Sequence, residues 1–475
     1  MTPEPASPAW PSLAALAADL RAGRTTASAV LEGALSHHRE HEPPLGAYKL
    51  VDEDGARAAA HAADRAFADH RNGGPDPAPL CGIPVSVKDL YGMDGLPTWA
   101  GTARQLPDRW SSDAWLVGRL RRQGAVFVGK THTVELAYAG VGLNPHWGTP
   151  RNACDPDVHR IPGGSSSGAG VSLQEGSALV ALGTDTGGSI RIPASMTGMV
   201  GHKSTKGRWP TDGVVPLSHT LDTVGALTRS AADAAWFFAA VDSRLGDPAA
   251  FLSDTATPRS LRIGVPRCGL WDGCQDDIAT VLERALDALT ARPADAPGAE
   301  AGGDWTLVEV DGDLLDRAAD LYLTGAIAGA ECLAFLQAEL PEWIPLLHPI
   351  VGSRLTGAPA LDSATYPEAR RRQDEMAADA AALFRTADVL VLPGHLDTPA
   401  PVSELDDPER YRTVNLRALR PTCCVSLLGL CALTLPVGSD RAGMPVGLQL
   451  VAPAGADEAL LAAAVSVERR LADAR

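Results

Sequence analysis

GGSSSGAGVSLQEGSALVALGTDTGGSIR, residues 163–191, carries two glycine-flanked serine turns joined by an apolar run. Glycine lets the backbone turn sharply and approach a ligand closely, so each turn can present hydroxyls beside unpaired amides. The run Ala178–Leu182 reads as a strand that feeds the second turn, Gly183–Ser189, and places Ser189 at its exit. Ile190–Pro193 can open a helix, which sets Ser189 near a positive helix end. A serine nucleophile needs an exposed hydroxyl, a base for its proton and donors for the oxyanion that follows. Lys88 closes the apolar strand Ile83–Val87 and is the candidate base. Lysine titrates at about pH 10.4 in water, so it serves as a base near neutrality only where burial disfavours its charged form.

Outward from this stretch, helical and strand-like segments alternate. Helices are expected at Pro11–Ala22 and Thr26–His38, with Ser12 and Thr26 as N-caps, and at Gly55–His70, Asp113–Gln123, Ala231–Val241, Asp276–Ala291, Glu368–Phe384 and Glu458–Leu471. Further strands are expected at Ala125–Val128, Leu261–Val265, Val389–Leu392, Ala432–Leu435 and Val446–Val451. Alternation of this kind implies an α/β fold whose central mixed, largely parallel twisted sheet is flanked by helices. The chain reads as a single domain over 1–475. It comprises an N-terminal helical segment at 1–72, a core at 78–245, a flexible Pro/Gly/Ala-rich loop at 291–304 and a pocket cover at 305–422.

Two strings compete with this reading. Gly124–Thr131 matches GxxxxGK[ST], but the four intervening residues are Ala-Val-Phe-Val, a buried strand rather than an open nest of amides. Gly164–Gly168 matches the nucleophile elbow GxSxG, centred on Ser166, with His395 beside Asp397 as a loose partner. An elbow needs a strand immediately before it, and Asp155–Pro162 is polar and proline-broken. Asp89, next to the candidate base, reads as a turn or cap residue. Ser166 and Ser167 read as loop-bonding hydroxyls, and His132, His146, His159, His202 and His219 are too scattered for a metal site.

Composition bounds the function. The net charge of −17 argues against nucleic acid as the main partner, because phosphate binding needs a basic face. Eight cysteines without a CxxC, two of them adjacent at Cys423–Cys424, suit reduced thiols better than zinc or a disulfide framework. No basic segment precedes an apolar one near the N-terminus, and the uncharged run Cys423–Gly438 is interrupted by Gly429 and Pro436. The expectation is a soluble cytoplasmic protein that needs no metal or organic cofactor and does not engage a membrane.

The ordered set CGIPVSVKD (Cys81–Asp89), GKTHTVEL (Gly129–Leu136), GTPRN (Gly148–Asn152), the two serine turns and MPVGLQLV (Met444–Val451) resembles the amidase signature family over nearly the whole chain. The resemblance implies a Ser-Ser-Lys triad, with Ser189 as nucleophile, Ser165 as relay and Lys88 as terminal base. It also implies a cis peptide bond before Ser165, after Gly163 and Gly164. The implied oxyanion hole is made by the backbone amides of Thr186, Gly187, Gly188 and Ser189, with Asp185 and Arg191 bracing the loop. The implied activity is hydrolysis of a carboxamide or carbamoyl C–N bond, and the implied partners are a small-molecule amide substrate and a second copy joined through the N-terminal helices. The alternative is a glutaminase subunit that supplies ammonia to an amidotransferase partner. GHKSTKGR at Gly201–Arg208 departs from the family pattern at His202 and Ser204, and residues 304–422 match only loosely, so the resemblance leaves the substrate open.

Overall fold

The computed structural model describes residues 10–41, 44–255, 260–291 and 305–474. Eleven strands form one sheet: β1 (Tyr48–Val51), β2 (Pro84–Lys88), β3 (Val126–Thr131), β4 (Val180–Asp185), β5 (Val200–Lys203), β6 (Thr223–Thr228), β7 (Leu261–Arg267), β8 (Trp305–Asp311), β9 (Val389–Pro393), β10 (Cys431–Ser439) and β11 (Pro445–Ala452). Their order is β1-β3-β2-β4-β6-β5-β10-β11-β9-β7-β8. The sheet is mixed, as expected, but less parallel than the sequence implied. Four pairings are parallel and six antiparallel. The antiparallel excess comes from β1, β5 and β6, short strands that the apolar pattern does not reveal, and from β11, which pairs antiparallel with both β10 and β9. β2, β3, β4, β9 and β11 are buried at every residue. They therefore read as continuous apolar runs instead of alternating ones.

Helices pack against the sheet. Leu13–Ala22 and Ala27–Glu40 are capped by Ser12 and Thr26, whose side chains accept from Ala15 N and Ala29 N. Gly124–Thr131 lies mostly within β3, with its amides in the ladder and Lys130 Nζ 2.9 Å from Asp89 Oδ1. Asp89 also accepts from the amides of Trp99 and Ala100 at 3.0 Å, which is the turn role expected of it. The Pro/Gly/Ala-rich loop expected at 291–304 lies, apart from its first residue, outside the described residues. One long helix was not foreseen: Pro408–Leu427, whose N-terminal half is charged and which carries Pro421 inside it. The apolar stretch Asp313–Glu339 is broken into two helices, Asp313–Leu323 and Ala328–Glu339.

β2 and β4 are parallel neighbours, with Val85 opposite Val180 and Val87 opposite Leu182. Parallel strands present their C-terminal ends on the same edge, so Lys88 and the Thr184–Ser189 segment emerge side by side. The helix Ser167–Gln174 packs against β2, β3 and β4 and brings the first serine turn to that edge.

Candidate active site

Lys88, Ser165 and Thr184 meet at this edge, and none is more than 3% exposed. Lys88 Nζ lies 2.8 Å from Ser165 Oγ and 2.8 Å from Thr184 Oγ1. No carboxylate lies within ion-pairing distance of the amine among the described residues. Burial is the main influence on it and lowers its pKa to about 7, against the opposing fields of Asp185 and Asp222. Ser165 follows a cis peptide bond from Gly164, and Gly163 adopts a positive φ of 77°. The Gly164 amide donates to Gly140 O at 2.8 Å, and the Ser165 carbonyl accepts from Thr133 Oγ1 at 3.1 Å, which holds this turn in place.

The second turn is held from inside by one ion pair. Asp185 and Arg191 are wholly buried, with Arg191 Nη2 2.8 Å and Nε 3.0 Å from the carboxylate. Burial alone would raise the Asp185 carboxyl, but the guanidinium beside it holds it at about 2. Arg191 also donates to Thr422 O and Ser426 Oγ, and to Gln449 Oε1 on β11. Removing one member of such a pair strands the other charge without solvent. Arg191→Gln is therefore expected to cost about 3–5 kcal/mol of stability. Chemical denaturation checks this, and an unchanged midpoint would contradict the bracing role.

Asp185 also decides which amides stay free. It accepts from Gly188 N at 2.8 Å and Ile190 N at 3.2 Å. This corrects the expectation for Gly188, whose N–H is committed to the carboxylate instead of facing an incoming oxyanion. Among the described residues, the amides of Thr186, Gly187 and Ser189 have no acceptor. Thr186 is fixed through its side chain, which donates to Asp222 Oδ1 at 2.6 Å. Ser166 behaves as a loop-bonding residue, donating to Ser189 O at 2.5 Å, whereas Ser167 Oγ is buried without a partner among the described residues.

Ser189 lines a cavity of about 620 Å³, while Lys88 and Ser165 are wholly buried and are not part of its wall. The cavity walls come from residues 137–139, 322–328, 349–354 and 408–419. A family model for amidases matches residues 29–461.

The chain belongs to the amidase family.

This amidase is 44% identical over 458 residues to a 2-amino-5-chloromuconic acid deaminase of Comamonas testosteroni, covering 96% of this chain and 95% of the relative. It is 32% identical over 417 residues to an indoleacetamide hydrolase of Pseudomonas savastanoi, with 85% and 86% covered. It is also 33% identical to a glutamyl-tRNA(Gln) amidotransferase component of Acidothermus cellulolyticus, with 95% and 93% covered. A solved amidase crystal structure superposes with a TM-score of 0.82 at 32% identity, covering 97% of this chain and all of the other. The amidase is accordingly a hydrolase of amide C–N bonds with the mixed α/β architecture of its relatives.

The elbow alternative fails on geometry. The Ser166 hydroxyl is spent on the carbonyls of Ser189 and Thr184. His395 instead sits 2.6 Å from Ser195, and burial lowers its pKa to about 4. The other histidines are dispersed: His146 beside Glu135, His202 beside Asp457 and His219 beside Glu331. Several residues at the amidase site carry no signal in the sequence. Thr422 Oγ1 donates to Gly187 O at 2.7 Å. A Cβ on Gly187 would fall 2.1 Å from the Tyr322 hydroxyl, so Tyr322 lies directly over the loop. Neither residue belongs to a motif, and both reach the site from more than a hundred residues away. Thr184 alone had a signal, since it lies inside the TDTGGS turn.

Proposed function

We propose that the amidase cleaves a small-molecule carboxamide through an acyl-enzyme on Ser189. Ser189 Oγ attacks the carbonyl carbon as its proton passes to Ser165, whose own proton passes to neutral Lys88. The tetrahedral oxyanion is met by the free amides of Thr186, Gly187 and Ser189. The relay then returns a proton to the departing amine as the C–N bond breaks. Water adds to the ester, and the same groups carry its proton before releasing the acid and restoring Ser189. The observation that carries this reading is a buried amine with no carboxylate partner, 2.8 Å from a serine hydroxyl and depressed towards neutrality. The eight unpaired cysteines support the expected reducing, cytoplasmic setting.

The test is amine or ammonia release across aliphatic, aryl, amino-acid and malonic-type amides, together with mapping of a fluorophosphonate label. The label belongs on Ser189, and modification of any other serine would sink the assignment. The likeness to an amidotransferase component favours a second reading, a glutaminase that works only with a partner. Glutamine hydrolysis appearing only on addition of a copurified protein would establish it.

Gly188 supplies a further check. Its φ of 131° suits glycine, and a Cβ there would fall 2.1 Å from Thr422 Oγ1 and 2.8 Å from Ile192 Cδ1. Gly188→Ala must shift the loop that aims the Gly187 and Ser189 amides. Loss of one such donor costs roughly 10²–10³-fold in other enzymes, and a fall in kcat of that order is expected here.

A further inference from the structure

We propose that the cavity selects amides whose acyl part carries a second, free carboxylate, and that Arg354, assisted by Arg412, receives that carboxylate. This rests on the cavity being the acyl pocket of Ser189. Arg354 and Arg412 are the charged side chains of the cavity wall, and no Asp or Glu lines it. Arg354 is held in place without being neutralised. Its Nη1 donates to Tyr138 O at 2.9 Å, and its guanidinium lies 4.4 Å from the centre of the Tyr138 ring. Among the described residues, neither arginine has a carboxylate within 4.0 Å. Arg412 differs in this from its neighbours on the helix Pro408–Leu427: Arg410 pairs with Glu404, Arg417 with Asp397, and Arg420 with Asp316 and Asp320.

A guanidinium fixed by a carbonyl, a ring and the Tyr411 hydroxyl, with no anion beside it, offers its remaining N–H groups to a planar bidentate acceptor. The rest of the molecule makes this more pointed. A chain of net charge −17 repels anions at long range, so cations kept unpaired in the substrate cavity reverse the field where the substrate sits. A dicarboxylic monoamide fits, with its amide carbonyl at Ser189 and its free carboxylate at Arg354. Hydrolysis breaks the C–N bond, consumes water, and yields the dicarboxylate and ammonia.

The test compares succinamic, glutaramic and adipamic acids with butanamide, pentanamide and hexanamide, the neutral amides of matching chain length. A site built to bond a charged group discriminates strongly against the analogue that lacks it. At least one acid should exceed its neutral partner in kcat/KM by about ten-fold or more, mainly through KM. Arg354→Gln should bring that ratio close to one, Arg354→Lys should restore part of it, and Arg412→Gln should lower it less. A purely structural role for Arg354 would depress both amides alike and leave the ratio standing, which overturns the proposal. Should Arg354→Gln not fold, rising ionic strength must erode the preference of the wild-type enzyme. Equal turnover of acid and neutral amides overturns the inference while leaving the amidase reading intact. If no amide in either series is turned over, calorimetric titration with glutarate and adipate decides, and absence of binding overturns the inference. Failure of the hydrolase reading itself shows separately, as loss of fluorophosphonate labelling at Ser189.

Discussion

Ser189→Ala is expected to abolish amide hydrolysis, with kcat falling by ~10⁴-fold or more, as when the nucleophile of a serine hydrolase is removed. The fold should survive, because Ser189 lines the cavity and the loop is held through backbone and Asp185 contacts that alanine retains. Substrate should still bind, so a titration with a good substrate should give an affinity close to the wild-type KM. Single-turnover product release measures the loss directly. Residual activity within ten-fold of wild type would place the nucleophile elsewhere.

Lys88 carries the second large effect. Its pKa of about 7 predicts an acidic limb in kcat/KM, with activity rising as the pH passes upward through that value and the amine becomes a base. Lys88→Arg keeps the charge but cannot shed it at any working pH. Both Lys88→Arg and Lys88→Met should lose about 10²–10⁴-fold, the usual range for a general base, and neither should retain the limb. Stability carries a matching signature. The folded pKa lies below the ordinary lysine value of 10.5, so between about 7 and 10.5 the unfolded chain binds more protons than the native one. The contribution of Lys88 to stability therefore rises with pH across that window and is lost as the pH falls back through about 7. Lys88→Met should lack this slope. A wild-type pH–rate profile that is flat between about pH 6 and 8 would overturn the neutral-amine mechanism.

The parts of the site legible in the sequence are those written locally. Lys88 ends a run whose every residue is buried, and Ser189 follows a second such run, so each is placed by its own strand. Their meeting follows from β2 and β4 being parallel neighbours, which alternation of strands and helices favours. What escaped notice is tertiary. Tyr322, Arg354 and Thr422 act at the site through contacts that no spacing encodes. The commitment of the Gly188 amide depends on which way the Asp185 carboxylate turns, and that is set by Arg191. Pro421 and the charged first turns masked the helix Pro408–Leu427. The parallel share of the sheet is smaller than alternation suggests because the short strands β1, β5 and β6 and the strand β11 all pair antiparallel.

The helix Pro408–Leu427 performs two tasks along one rod. Its earlier turns, through Tyr411, Arg412, Asn415 and Leu419, form cavity wall, and its last turns grip the Ser189 loop through Thr422 and Ser426. An α-helix advances about 100° per residue, so one inserted residue between Leu419 and Thr422 would swing the two halves out of phase. Such an insertion would unhook the loop even with every wall side chain retained. Redesign of this enzyme for new substrates is thus confined to exchanging side chains in fixed register, and lengthening or sliding that rod is closed to the engineer.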